Sequence, residues 1–291
     1  MTNKTLKIYS PYDRQLIADY PLNTLDDVDK ALGTAYELAN NPDKSILIPE
    51  RKRILKETIR ILRDRFDKVV SDSAQEGGKP LTDTKIEVER ALNGIEIAIE
   101  TIPHMIGSEI PMNQNAASLN RLAYTFREPI GVVVAISAFN HPVNLIVHQV
   151  VPAVATGCPV IVKPASTTPT SCFNVVNALY DAGLPKEWCR VMITNRDAAT
   201  KLVTDRRVSF LTFIGSGEVG WKLASQVAPG VKYAMEHGGV APVIFEPDAD
   251  INDALPLLIK AGFYHAGQVC VSVQKLFVHE SVIDEVADKL A

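Results

Sequence analysis

Three groups of residues in this chain of 291 have types and spacings that could do chemistry. The first is the cysteines, Cys158, Cys172, Cys189 and Cys270, which include no C-x-x-C pair, so neither a disulfide framework nor a zinc site is indicated. A cysteine attacks as its thiolate, and a free thiol with a pKa of about 8.5 needs a base or local positive potential to ionise at neutral pH. Cys158, Cys172 and Cys189 fall near expected packing positions, where free cysteine behaves as a small buried hydrophobe. The second group is Gly215-Ser216-Gly217-Glu218-Val219-Gly220, a G-x-G-x-x-G run with an acidic residue, Glu236, 21 positions after Gly215. Between a strand and a helix this is a dinucleotide fingerprint. Its glycines let the backbone approach a pyrophosphate, and the helix N-terminus favours the negative charge. Read alone, the fingerprint assigns Glu236 to ribose hydroxyls. The third group is His141 and His148, whose spacing suits neither neighbouring helix positions nor common zinc motifs, so no metal is expected.

The elements that must position these groups are strands alternating with helices. Residues 131–136 form an unbroken apolar run, as expected for a strand buried on both faces of a parallel sheet. A helix over 142–156 and a strand over 159–162 follow. Then come a helix over 169–181, a strand over 190–193, a short helix and a strand over 208–214. In such sheets ligands bind beyond the carboxyl ends of the strands. Those ends carry Phe139-Asn140-His141-Pro142, Lys163-Pro164-Ala165-Ser166 and the glycine run. Ahead of this region, 6–22 reads as two short strands around a turn at Pro11-Tyr12-Asp13. A helix over 49–70 carries interleaved charges on its outer face, which marks a solvated surface, and a second helix spans 81–101. Prolines and asparagines interrupt 107–126, which reads as extended chain leaving one domain and returning to it. The fold class is α/β, a Rossmann-like parallel sheet with flanking helices.

Taken together, the separated segments resemble the aldehyde dehydrogenase superfamily. They are Phe139-Asn140-His141-Pro142, Lys163-Pro164-Ala165, Phe213-Ile214-Gly215-Ser216 with Glu218-Val219-Gly220, and Glu236-His237-Gly238-Gly239 followed by Gly267-Gln268-Val269-Cys270. The loop from Glu76 to Pro80 also resembles the family's pattern, and the order of all these segments agrees over essentially the whole chain. The resemblance implies Cys270 as nucleophile, Glu236 as general base rather than ribose ligand, and Asn140 as an oxyanion donor. Lys163 would bind the adenosine ribose, and Gly215, Ser216 and Gly220 would lie at the pyrophosphate. Phe139 would stand beside cofactor and substrate. A buried Glu236 would suit the role, because desolvation raises a carboxyl toward working pH. Relatives that pass the acyl group to coenzyme A generally lack this glutamate, so the acid-forming, hydrolytic kind is implied. Ser166 stands where many NAD-preferring relatives carry glutamate, so NADP or NAD is the expected cofactor, with NADP accepted. His237 departs from the family's usual apolar residue and is expected to pack, since neighbours along an extended segment point to opposite faces.

The same resemblance divides the chain into a dinucleotide-binding domain (1–106 and 127–235), a bridging or oligomerisation segment (107–126) and an incomplete, second α/β catalytic domain (236–291). An incomplete domain is expected to leave apolar surface uncovered, which points to a homo-oligomer or a poorly active chain. The partner implied is a small aldehyde of the lactaldehyde, glyceraldehyde or succinate semialdehyde kind. A non-catalytic nucleotide- or partner-binding module and a cofactor-independent thiol esterase remain open alternatives. Composition agrees with a globular enzyme, at 46% hydrophobic and 22% charged. A net charge of −4 gives no reason to expect nucleic acid, and no apolar run reaches the roughly 18 residues of a membrane span. The N-terminal ten residues have no apolar stretch of the secretory kind, so a cytoplasmic location is expected.

Overall fold

The computed structural model describes residues 4–291, beginning with the expected hairpin. Strand β1 (Thr5–Tyr9) pairs antiparallel with β2 (Leu16–Pro21) around the turn at Pro11-Tyr12-Asp13. Helices α1 (Leu25–Ala39), α2 (Ile48–Asp64), α3 (Phe66–Gly77) and α4 (Leu81–Thr101) follow. The first opens on a capping box, in which Thr24 and Asp27 satisfy each other's backbone N–H. The single helix expected over 49–70 is instead two. The backbone leaves helical geometry at Arg65 (φ −104°, ψ 15°), which ends α2 and starts α3. The guanidinium of Arg65 pairs with Asp181 at 2.8 Å, and the turn swings Val69, Val70, Ser73 and Glu76 inward. The excursion over 107–126 carries two short strands, β3 (Glu109–Ile110) and β4 (Ala123–Tyr124), paired antiparallel.

The βα units come next: β5 (Val132–Ile136), α5 (Pro142–Thr156), β6 (Val160–Lys163), α6 (Pro169–Asp181), β7 (Cys189–Val191), α7 (Arg196–Thr204), β8 (Val208–Ile214), α8 (Gly217–Ala224) and β9 (Lys232–Glu236). The strands form one five-stranded sheet in the order β7-β6-β5-β8-β9, every neighbouring pair parallel. Alternation along β5 shows why its apolar run is unbroken. Val133 and Ala135 face a core built with α2 to α6, while Val132 and Val134 face a second core built with α1 and α7. This is an α/β fold with helices on both faces of a parallel sheet.

Beyond β9 lies a smaller unit. Strand β10 (Val243–Phe245) pairs parallel with β11 (Leu276–Val278), joined through α9 (Ile251–Phe263) and followed by α10 (Ile283–Leu290). No residue of α9 is buried, and Ile244, Leu257, Ile259, Phe263 and Phe277 are exposed. The apolar surface expected over 236–291 is present.

Candidate active site

The site assembles at the carboxyl ends of β5, β6, β8 and β9, where a parallel sheet presents its loops. Register fixes the first contact. Glu236 ends β9 opposite Ile214, and its carbonyl accepts the Gly215 N–H at 3.1 Å. The base candidate and the glycine run are therefore neighbours on adjacent strands. Asn140 follows β5, and its side-chain Nδ2 donates to the Gln268 carbonyl at 2.8 Å, two residues before Cys270. Its Oδ1 accepts the His141 N–H at 3.1 Å, which fixes the amide's orientation toward the 268–270 segment. A Cβ built on Gly239 would lie 3.4 Å from the Cys270 carbonyl oxygen, so the 236–239 segment runs close against the nucleophile candidate.

Cys270 and Glu236 line one cavity of about 730 Å³, together with His148, Ile214 and His237. The other cysteines behave as expected of packing residues. Cys158, Cys172 and Cys189 are buried whereas Cys270 is exposed. Burial pushes the Cys172 thiol well up and that of Cys189 up to about 12, so neither is a thiolate source. Glu236 is not buried as expected. It ends the edge strand β9, and its residue is exposed and lines the cavity.

The nucleotide-side residues occupy the adjoining loops. Lys163 ends β6, half-buried, and among the described residues its Nζ donates only to the neighbouring Pro164 carbonyl, at 3.2 Å. Burial depresses its pKa. Ser166 is exposed in the same loop, and Phe139 is exposed beside Asn140. Ser216 is the N-cap of α8 and makes no side-chain capping hydrogen bond, which leaves that helix's first N–H groups open to an anion. Gly220 has a different place. It is buried, and a Cβ there would fall 2.1 Å from His237 Nε2, so this glycine lets α8 close on the His237 ring. His237 packs edge-on against Trp221 at 5.0 Å and Phe213 at 6.2 Å.

Two buried carboxylates near the site escape a reading of the sequence. Glu76, on α3, accepts the Thr170 and Ser171 N–H groups at 2.8 and 2.7 Å and so caps α6. Glu87, on α4, caps α5 in the same way through Val143 and Asn144. With carboxylates already on α5 and α6, the N-terminus of α8 is left as the contrasting, open one. The one advance signal was the loop from Glu76 to Pro80. Its part in the resemblance did not say what its charges touch.

The model of the aldehyde dehydrogenase family matches residues 1–291. The chain belongs to the aldehyde dehydrogenase family. It is 33% identical over 292 residues to 3-sulfolactaldehyde dehydrogenase of Priestia aryabhattai, covering 99% of this chain and 60% of that protein. It is 31% identical to lactaldehyde dehydrogenase of Methanocaldococcus jannaschii, covering 98% of this chain and 61% of that protein. Among solved structures, aldehyde dehydrogenase 21 from Physcomitrella patens, in complex with the reaction product succinate, superposes with a TM-score of 0.92. The identity is 34%, over 99% of this chain and 60% of that one. A glyceraldehyde-3-phosphate dehydrogenase from Methanocaldococcus jannaschii, complexed with NADP, superposes with a TM-score of 0.89 at 30% identity, over 100% of this chain and 63% of that one. The aldehyde dehydrogenase chain thus spans about 60% of the length of the relatives it matches. Among the described residues no helix is long and apolar enough to cross a membrane.

Proposed function

We propose that this aldehyde dehydrogenase chain carries the nucleophile and the cofactor-binding sheet of an enzyme that oxidises a small aldehyde to its carboxylic acid with NADP or NAD. The observation that carries the reading is that Cys270 and Glu236 line one cavity while the Asn140 amide holds the Gln268 carbonyl, two residues before Cys270. Support for the dinucleotide comes from the α8 N-terminus at Ser216, which makes no side-chain cap, Gly215 beside it, and the cation of Lys163, in no ion pair with the described residues. Relatives named for NADP and for lactaldehyde or sulfolactaldehyde point the same way.

The Cys270 thiolate attacks the carbonyl carbon, and the oxygen becomes an oxyanion of the thiohemiacetal. One amide hydrogen of Asn140 is held by the Gln268 carbonyl, and the other would serve the oxyanion together with the Cys270 backbone N–H. Loss of one such donor costs on the order of 100-fold or more in rate. A nicotinamide cofactor held by Lys163, Gly215 and Ser216 would supply the acceptor for the hydride that leaves the thiohemiacetal carbon. Glu236 then takes a proton from water that attacks the resulting thioester on Cys270, releasing acid and restoring the thiolate. Exposure of Glu236 to the cavity suits a base that must meet water. By the same reading, 1–106 with 127–235 form the dinucleotide-binding domain, 107–126 bridges to a second subunit, and 236–291 belong to the catalytic domain.

The test is NAD(P)H formation from short hydroxy- and carboxy-aldehydes by the wild-type chain and by Cys270→Ala. Turnover by the wild type and none by the variant is expected. Cofactor binding without turnover would point to a nucleotide-binding module, and ester hydrolysis without hydride transfer to a thiol esterase. Either result overturns the proposal.

A further inference from the structure

Buried Lys79 and Glu87 have no part in the chemistry above, yet they lie beneath the site. Lys79 stands in the loop between α3 and α4, and Glu87 on α4. Their side chains are 1% and 0% exposed and meet at 2.8 Å between Nζ and Oε2. Burying two charges is costly, and a pair offsets that cost only when its remaining valences are met. Glu87 meets them with Oε1, which accepts the N–H groups of Val143 and Asn144 at 2.8 and 3.0 Å. Those residues form the first turn of α5, directly after Asn140 and His141. Lys79 reaches the other side of the site. Its Nζ lies 5.9 Å from the centre of the Tyr264 ring, within range of a cation–π contact. Tyr264 in turn stacks on His141 at 6.1 Å and 15°, and His141 meets His265 edge-on at 6.3 Å.

The segment so reached needs holding. His265 (φ 50°), Ala266 (φ 54°) and Gly267 (φ 73°) are three successive left-handed residues on the approach to Cys270. A residue with a Cβ adopts that conformation at a cost, and keeps it where its surroundings over-determine it. Three contacts do so here: Asn140 on Gln268, His141 on Tyr264, and Lys79 over Tyr264. The first two come from the turn that Glu87 caps, and the third from the partner of Glu87. All three lead back to one ion pair.

We propose that Lys79 and Glu87 are positioning residues, a single buried pair that clamps the Asn140-bearing turn of α5 to the left-handed approach of Cys270, so that the amide donor and the thiol keep a fixed register. The significance of that register rests on the roles given to Cys270 and Asn140 above. The clamp itself is tested without turnover, by amide hydrogen exchange on the full chain with no aldehyde or cofactor added. Lys79→Met keeps the length of the side chain and removes its charge. It is expected to raise exchange over 264–270 by about tenfold or more while β5 and β6 stay protected. Tyr264→Leu is expected to do the same, Tyr264→Phe to retain wild-type exchange, and the Lys79→Met, Tyr264→Leu double variant to be no worse than either single one. Glu87→Ala should raise exchange over 143–145 and 264–270 together.

A rise confined to the α5 turn in Glu87→Ala would reduce Glu87 to a helix cap and overturn the clamp. So would unchanged exchange over 264–270 in Lys79→Met, or a uniform rise across the whole sheet. If Lys79→Met does not fold, Tyr264→Leu decides, since it leaves the buried pair intact. A wild-type chain that shows this exchange coupling but no turnover would sink the enzyme reading alone.

Discussion

Lys163 is a half-buried cation in no ion pair with the described residues, three positions before the exposed Ser166 at the edge of the proposed cofactor site. A lysine without a carboxylate nearby is free to meet a phosphate, and serine adds no repulsion. Ser166→Glu would supply that repulsion. It is predicted to lower kcat/KM for NADP relative to NAD by at least about tenfold, because like charges brought together in a binding site cost several kcal/mol. Steady-state kinetics with both cofactors checks this, and an unchanged ratio would mean that the 2′ end of the ribose lies elsewhere. Asn140 shows a related economy of placement. Its amide ties down the Cys270 segment through Gln268, and the proposed mechanism uses its second hydrogen, so a change here alters position and polarity together.

At the scale of elements, α8 approaches β9 closely because Gly220 has no Cβ to meet the His237 ring. Gly220→Ala is predicted to destabilise the chain by about 1–3 kcal/mol, the usual cost of overpacking. His237→Ala in the same chain should recover much of it. Urea unfolding of the single and double variants tests the coupling, and additive losses would contradict it. His237 packs as its place in an extended segment suggested, though it also borders the cavity. Helices α5 and α6 and strand β8 fall on the residues that periodicity and turn signals marked, because each is an apolar run with a proline or glycine at its boundary. Strand β9 was not legible. Lys232-Tyr233-Ala234-Met235-Glu236 has neither an apolar run nor clean alternation, and it is a strand by virtue of pairing with β8. The break at Arg65 was hidden because apolar residues continue past it at helical spacing. Glu76 and Glu87 were hidden for another reason. In sequence they are helix acids like any others, and their burial depends on helix N-termini that arrive 94 and 56 residues later. The candidate residues at the strand ends stand out in the sequence by type and spacing, whereas the buried carboxylates packed beneath them do not.

Across the whole molecule, uncovered apolar surface is concentrated in two places. One is the ribbon of β3 and β4 with its flanks, where Ile106, Leu119, Leu122, Tyr124 and Phe126 are exposed. The other is the unit of β10, α9 and β11. Patches of this kind call for a partner. The chain is predicted to self-associate at micromolar concentration and to bind a hydrophobic dye, as measured by light scattering and fluorescence. A monodisperse monomer without dye binding would contradict that. Whatever covers these faces, the central claim concerns one thiol, and the acyl group it carries can be weighed. The Glu236→Gln variant, given an oxidised cofactor and a short aldehyde, should form reduced cofactor once and hold the acyl group as a thioester, found by mass spectrometry on the peptide that contains Cys270. Reduced cofactor without an adduct at Cys270, or with the adduct on another residue, would contradict the account.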